Sequence, residues 1–197
     1  MNADNRYIEL PIMKKLLLAA IVAFSWTLGA RAQMLAANVD GLWLATLTPN
    51  IGAELVIGGR STLGLHGLFA TKPLGKDVKI YAIQPEYRYF FSGRPMFREF
   101  IGVGAIGASY DITWAGKVYD GTAVGLGLTF GYVLPIKKRI NIDFHAGFGI
   151  IRYKHKEYFV GDQYDVDYIF DGEQRANASG YYLLPTRIGV SVSYILW

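Results

Sequence analysis

The sequence has no cysteine, which excludes a disulfide scaffold, a thiolate metal site and a cysteine nucleophile. Charge is also scarce. Asp, Glu, Lys and Arg make up 18% of the 197 residues, below the quarter or so usual in soluble domains. The formal net charge is +4, but residues 1–32 hold four cations (Arg6, Lys14, Lys15, Arg31) against Asp4 and Glu9. Without them it falls to about +2. So small an excess is a poor basis for a polyanion partner, and no nucleic-acid binding is expected. Helical periodicity is missing beyond residue 33, and no apolar run is long enough for a comfortable transmembrane helix.

Glycine and aromatic side chains are plentiful: 23 glycines, with Phe, Trp and Tyr at 15% of the chain. Few charges with many of both suit an all-β or membrane-associated chain. The front end is an export signal in form. From Met13, "MKKLLLAAIVAFSWTLGARAQ" places two lysines before an apolar run, Leu16 to Leu28, and Ala30-Arg31-Ala32 gives an A-x-A cleavage site. The expected organisation is an extra N-terminal extension at 1–12, a signal peptide at 13–32 cleaved after Ala32, and one barrel domain at 33–197.

The rest of the chain alternates with period two. In "GTAVGLGLTFGYVL", Thr122, Val124, Leu126, Leu128, Phe130, Tyr132 and Leu134 share one face. Gly121, Ala123, Gly125, Gly127, Thr129, Gly131 and Val133 share the other. In "INIDFHAGFGII", Ile140, Ile142, Phe144, Phe148 and Ile150 oppose Asn141, Asp143, His145, Gly147 and Gly149. Eight strands follow, near 38–48, 51–58, 61–71, 78–91, 97–113, 119–134, 139–153 and 180–197, with one long connection at 154–179. The expected fold is all-β: an eight-stranded antiparallel up-and-down transmembrane β-barrel. Small residues on a water-facing strand would solubilise little. Inside a narrow barrel they leave room for larger side chains from other strands. The expected lumen set is therefore Glu54, His66, Gln84, Glu86, Arg88, Asp143, His145 and Arg187, whose mixed signs allow pairing. An even strand count puts both termini on one side, which after export is the periplasm. The turns at 58–60, 92–96 and 135–138 belong to that side.

Several stretches resemble a family of small outer-membrane β-barrel proteins of Bacteroidota, catalogued as a domain of unknown function. They are "LWLATLTPNIGAEL" (42–55), "IQPEYRYFF" (83–91), "FIGVGAIGASYD" (100–111) and "LLPTRIGVSVSYIL" (183–196). The resemblance implies an eight-stranded outer-membrane barrel and shared lumen roles for Glu54, Glu86 and Arg88. It lends no activity and no catalytic residues. Family chains end at the position of Leu196, so Trp197 is one residue extra.

Other motifs mislead. Gly102, Gly104 and Gly107 spell G-x-G-x-x-G, but strand continues through Trp114 where a dinucleotide site needs a helix. Asp143 and His145 share a face, yet no nucleophile elbow accompanies them, although Ser109, Ser191 and Ser193 are candidates for the same interior. Metal binding by His66 and His145 needs a third ligand. No cofactor or metal is expected. The segment 154–179 interleaves acids with aromatics, and Tyr158, Phe159, Tyr164, Asp165, Asp167, Tyr168 and Phe170 are its expected interaction residues. Expected partners are outer-membrane lipid, the outer-membrane assembly machinery and an extracellular protein or glycan at that loop. The expected role is structural or surface-interactive, with a side-chain-plugged lumen and no enzymatic activity. Two alternatives stand beside it: a barrel-embedded enzyme modifying lipid or lipopolysaccharide, with His145 or His155 as base, and a soluble lipocalin-like periplasmic carrier.

Overall fold

The structure, a computed structural model, describes residues 34–161, 169–170, 173–174 and 176–196. The expected extension at 1–12, the expected signal peptide at 13–32 and Trp197 lie outside the described residues. The elements are β1 (Leu35–Asp40), α1 (Gly41–Ala45), β2 (Asn50–Val56), β3 (Ser61–Thr71), β4 (Val78–Phe90), β5 (Arg98–Trp114), β6 (Lys117–Lys137), β7 (Ile140–Phe159), β8 (Ile169–Phe170), β9 (Glu173–Gln174) and β10 (Ala178–Ile195). Eight of the strands close an antiparallel barrel in the order β1-β10-β7-β6-β5-β4-β3-β2, and β8 and β9 form a separate small hairpin. The seam pairs Ala36 with Ile195 and Asp40 with Ser191.

The alternation sets the faces. Leu126, Leu128 and Phe130 point outward with 55–68% of their surface exposed, while Thr129 and Val133 on the same strand are buried inside. Prolines sit where a missing N–H does least harm. Pro135 and Pro185 flank register shifts in β6 and β10, and Pro85 falls at a gap in the β4–β5 ladder. The β5–β6 hairpin turns on Ala115 and Gly116, both at positive φ (50° and 80°), the backbone a two-residue hairpin loop requires.

Three sequence expectations need correction. The first strand ends at Asp40 and does not run to 48. Asp40 Oδ1 accepts hydrogen bonds from the amides of Leu42 (2.9 Å) and Trp43 (3.2 Å), so it caps α1 and turns the chain out of the sheet. The long connection is shorter than 154–179, because β7 continues to Phe159 and β10 starts at Ala178. Tyr158 and Phe159 thus end a strand and do not lie in a loop. The lower turn moves too: β6 reaches Lys137 through the bulge beside Pro135, so the expected 135–138 turn closes later.

The rim opposite the termini is uneven. Successive ladders end at Asn50–Leu68, Thr71–Lys79, Val78–Ile112 and Trp114–Lys117, then Lys117–Phe159. It climbs from β2 to β7 and drops at the seam. Above Ser191, residues Ala178–Val190 of β10 have β7 on one side and no strand of β1 on the other. The helix α1 packs against β10 at this step, with Leu42 and Leu44 exposed and Trp43 lining the interior cavity beside His66 and His145. Its backbone bonds are internal, so it continues the apolar outer surface without presenting another open edge.

Candidate functional site

The interior is layered. At the termini end, Met96, Phe90, Phe100 and Val133 form a buried apolar floor, with the Phe90 and Phe100 rings 5.4 Å apart. Above it lies an ionic layer centred on Arg88, which is wholly buried. Its Nε donates to Glu86 Oε2 (2.7 Å), and Nη1 donates to Asp143 Oδ2 (2.6 Å) and Glu54 Oε2 (3.2 Å). The guanidinium lies 4.4 Å over the Phe100 ring, so the apolar floor also supports the cation. Glu54 accepts from the Thr62 hydroxyl (2.5 Å), and Glu86 from that of Thr129.

Arg187 extends the network. Its Nη1 donates to Glu86 Oε2 at 2.6 Å, and Nη2 lies 3.1–3.2 Å from the two ring nitrogens of His66. Gln84 Nε2 donates to the Thr186 carbonyl (2.8 Å). His145 stands between two carboxylates, with Nε2 3.3 Å from Asp40 Oδ2 and Nδ1 3.5 Å from Asp143 Oδ1. Among the described residues, Arg88 Nη2, Asp143 Oδ1 and His145 Nδ1 are buried without a hydrogen bond. Cavities of about 20 and 40 Å³ open beside Gln84, Arg187 and His145, room for ordered water and little else. Of the eight side chains expected in the lumen, Glu54, Glu86, Arg88, Asp143 and His145 are buried, and His66, Gln84 and Arg187 are partly so. Sequence reasoning placed Thr129 on the inward face but missed Asp40 and Thr62, although their parity with Asn38 and Gly64 places them inside.

Glycine makes the layer possible. A Cβ on Gly102 would stand 2.5 Å from Thr129 Oγ1, and one on Gly127 2.7 Å from Thr186 Oγ1. The small face of β5–β7 is the space the arginines and threonines fill.

Above the ionic layer, the tall strands β5, β6, β7 and β10 carry an aromatic group on their inward face. Tyr153 stacks on His155 (5.0 Å) and on Tyr182 (5.0 Å), and Tyr110 and Tyr119 meet the His155 ring edge-on. The Tyr110 hydroxyl is 2.8 Å from His155 Nδ1. Burial pushes the His155 imidazole below its ordinary value. At the tip, Lys117 Nζ donates to Glu157 Oε1 (2.6 Å), and this bond lowers the carboxyl and raises the amine.

Among the described residues, no serine is hydrogen-bonded to His145. Ser191 donates to Asp40 (3.3 Å), and Ser109 is exposed on the face of β5 opposite Tyr110. Among the described residues, no group of three His, Cys, Asp or Glu side chains could hold a metal. Tyr164, Asp165, Asp167 and Tyr168 lie outside the described residues, and Phe170 belongs to β8.

Residues 16–196 match the model of a family described as "Protein of unknown function (DUF3575)". The chain belongs to this family. No curated protein matches the sequence. Among solved structures, the DUF3575 chain is similar to the crystal structure of Neisserial surface protein A, at 17% identity, with 82% of this chain and 94% of that chain covered and a TM-score of 0.37.

Proposed function

We propose that this family member is a small outer-membrane β-barrel with a structural or surface-interaction role and a plugged lumen. The observation that carries the reading is the inversion of its faces. Large apolar side chains cover the outside, while arginines and carboxylates are buried within. That arrangement suits a barrel whose solvent is lipid, since closure pairs the strand edges along the lower barrel and the helix α1 packs against β10 where β1 stops short. It runs against a lipocalin-like carrier, whose interior would be apolar and empty. The aromatic lip on β5–β7 and β10 would stand beyond the bilayer, because 17–21-residue strands exceed the roughly 9–11 needed to cross. The lip and the segment that follows it are the surface for a protein or glycan partner.

The test is fractionation of cells expressing the full chain, followed by electrophoresis with and without boiling and by planar-bilayer recording. The expected result is an outer-membrane fraction, heat-modifiable migration and no large stable pore. Extraction without detergent would overturn the location, and steady high conductance would overturn the plugged lumen.

A further inference from the structure

The two ends of the barrel differ in charge. At the end with the termini, Arg60, Arg94, Arg98, Lys137, Lys138 and Arg139 are all exposed. Among the described residues none of these six makes an ion pair, and Glu99 is the one exposed carboxylate in the turns that carry them. At the opposite end four lysines are matched: Lys72 with Asp77 (3.2 Å), Lys79 with Asp111 (3.5 Å), Lys117 with Glu157 (2.6 Å) and Lys156 with Asp120 (3.9 Å); among the described residues Lys76 and Lys154 make no ion pair there, Lys76 lying 5.4 Å over the Trp114 ring. Like charges gathered on one rim repel one another, and a counter-charge from outside the chain relieves that.

The collar is also built. Arg94 and Arg98 lie on the same phenyl ring, their guanidinium carbons 3.8 and 5.1 Å from the Phe97 centroid. Met96 and Arg98 hold positive φ (54° and 62°), a backbone unfavourable for such side chains. Met96 is pegged into the apolar floor, its carbonyl accepting from Asn141 Nδ2 (3.4 Å). Between this turn and the β6–β7 turn lies a cleft of about 610 Å³, lined by Arg94, Lys137 and Lys138 beside Met96, Pro135 and Ile136, with no carboxylate. Outward-facing Phe130, Tyr132, Leu134 and Ile136 run along β6 to the edge of this cleft.

We propose that this collar binds the phosphate headgroups of anionic phospholipid in the leaflet at the termini end, a proposal that rests on the membrane reading above. The lipid's chains would lie along the apolar stripe of β6, and its phosphodiester would meet Arg94, Lys137 and Lys138. Cations at a membrane surface each contribute roughly fivefold to attraction for anionic lipid.

The test uses the full chain refolded into phosphatidylcholine vesicles with and without phosphatidylglycerol. Lipid retained after mild detergent extraction is measured, and heat-modifiable migration checks folding. The expected result is insertion into both vesicles and enrichment of phosphatidylglycerol by about tenfold or more. Enrichment should fall on adding sodium chloride. It should also fall in K137Q/K138Q/R139Q and in Arg94→Gln, but persist in K72Q/K79Q. Equal retention of the two lipids, or enrichment indifferent to salt and to the collar variants, overturns the collar while leaving the membrane reading intact. Displacement of the lipid by soluble glycerol phosphate overturns the bilayer as the source. Failure to insert into either vesicle overturns both readings.

Discussion

Arg88 serves three carboxylates at once, whereas the second buried arginine, Arg187, bonds only one of them, Glu86. Removing it leaves buried negative charges facing one another. Arg88→Met is expected to cost about 3–5 kcal/mol, read as a lower urea midpoint in detergent by heat-modifiable migration. R88M/D143L should recover part of that loss, because it deletes one stranded carboxylate with the cation. A midpoint for Arg88→Met within error of wild type would remove Arg88 from the centre of the layer. At the lip, pH acts through different residues. Burial holds the His155 pKa below its ordinary 6.5, so the unfolded ring takes up a proton that the folded ring refuses. This contribution is present above pH 6.5 and is lost as pH falls through the lowered folded value. Glu157 is lowered by its bond to Lys117, and its contribution is likewise lost in acid. Acidification should therefore speed amide exchange, corrected for intrinsic rates, at Lys117–Asp120 and His155–Phe159 before it affects the ionic layer. Tyr110→Ala, which uncovers the imidazole to water, should bring the His155 titration, followed by NMR, back toward 6.5. Uniform exchange along β7 at every pH would contradict this.

On β6, the same pattern that reveals the strand also limits it. The inward glycines lie under side chains from β5, β7 and β10, and a Cβ on Gly131 would stand 2.6 Å from the Phe100 ring. Gly131→Ala is expected to destabilise by about 1–3 kcal/mol, measured in the same urea assay. Leu126→Ala, on the outer face of the same strand, should leave the interior packing undisturbed. The strands of this half were legible because period two, small-against-large faces and Gly- or Pro-marked turns agree over long stretches. The first strand was not. Leu42, Leu44 and Thr46 continue the alternation in sequence, but Asp40 is followed by free amides that its carboxylate can cap, and capping ends the strand. The ionic layer was legible as a face. Which cation meets which carboxylate was not, since those pairs join residues 34 to 101 positions apart through closure of the ring.

For the molecule as a whole, closure itself is the feature to test. The chain has no cysteine, so an introduced pair reports without background. Val39 and Val192 face each other across the β1–β10 seam, at a spacing suited to a cross-strand bridge. V39C/V192C should oxidise readily in the folded protein, giving a boiled band that migrates faster than its reduced form. Slow oxidation equal to that of the unfolded chain would open the ring. The stepped rim has a further consequence. A level-topped barrel would be indifferent to rotation about the membrane normal. This one has a high side at β7 and a low side at the seam, where β10 stands alone above β1. On the membrane reading, it therefore has a front and a back within the plane of the bilayer. A neighbour approaching at one azimuth would meet a wall, and at another a threshold, so rotation about the barrel axis would change what it meets.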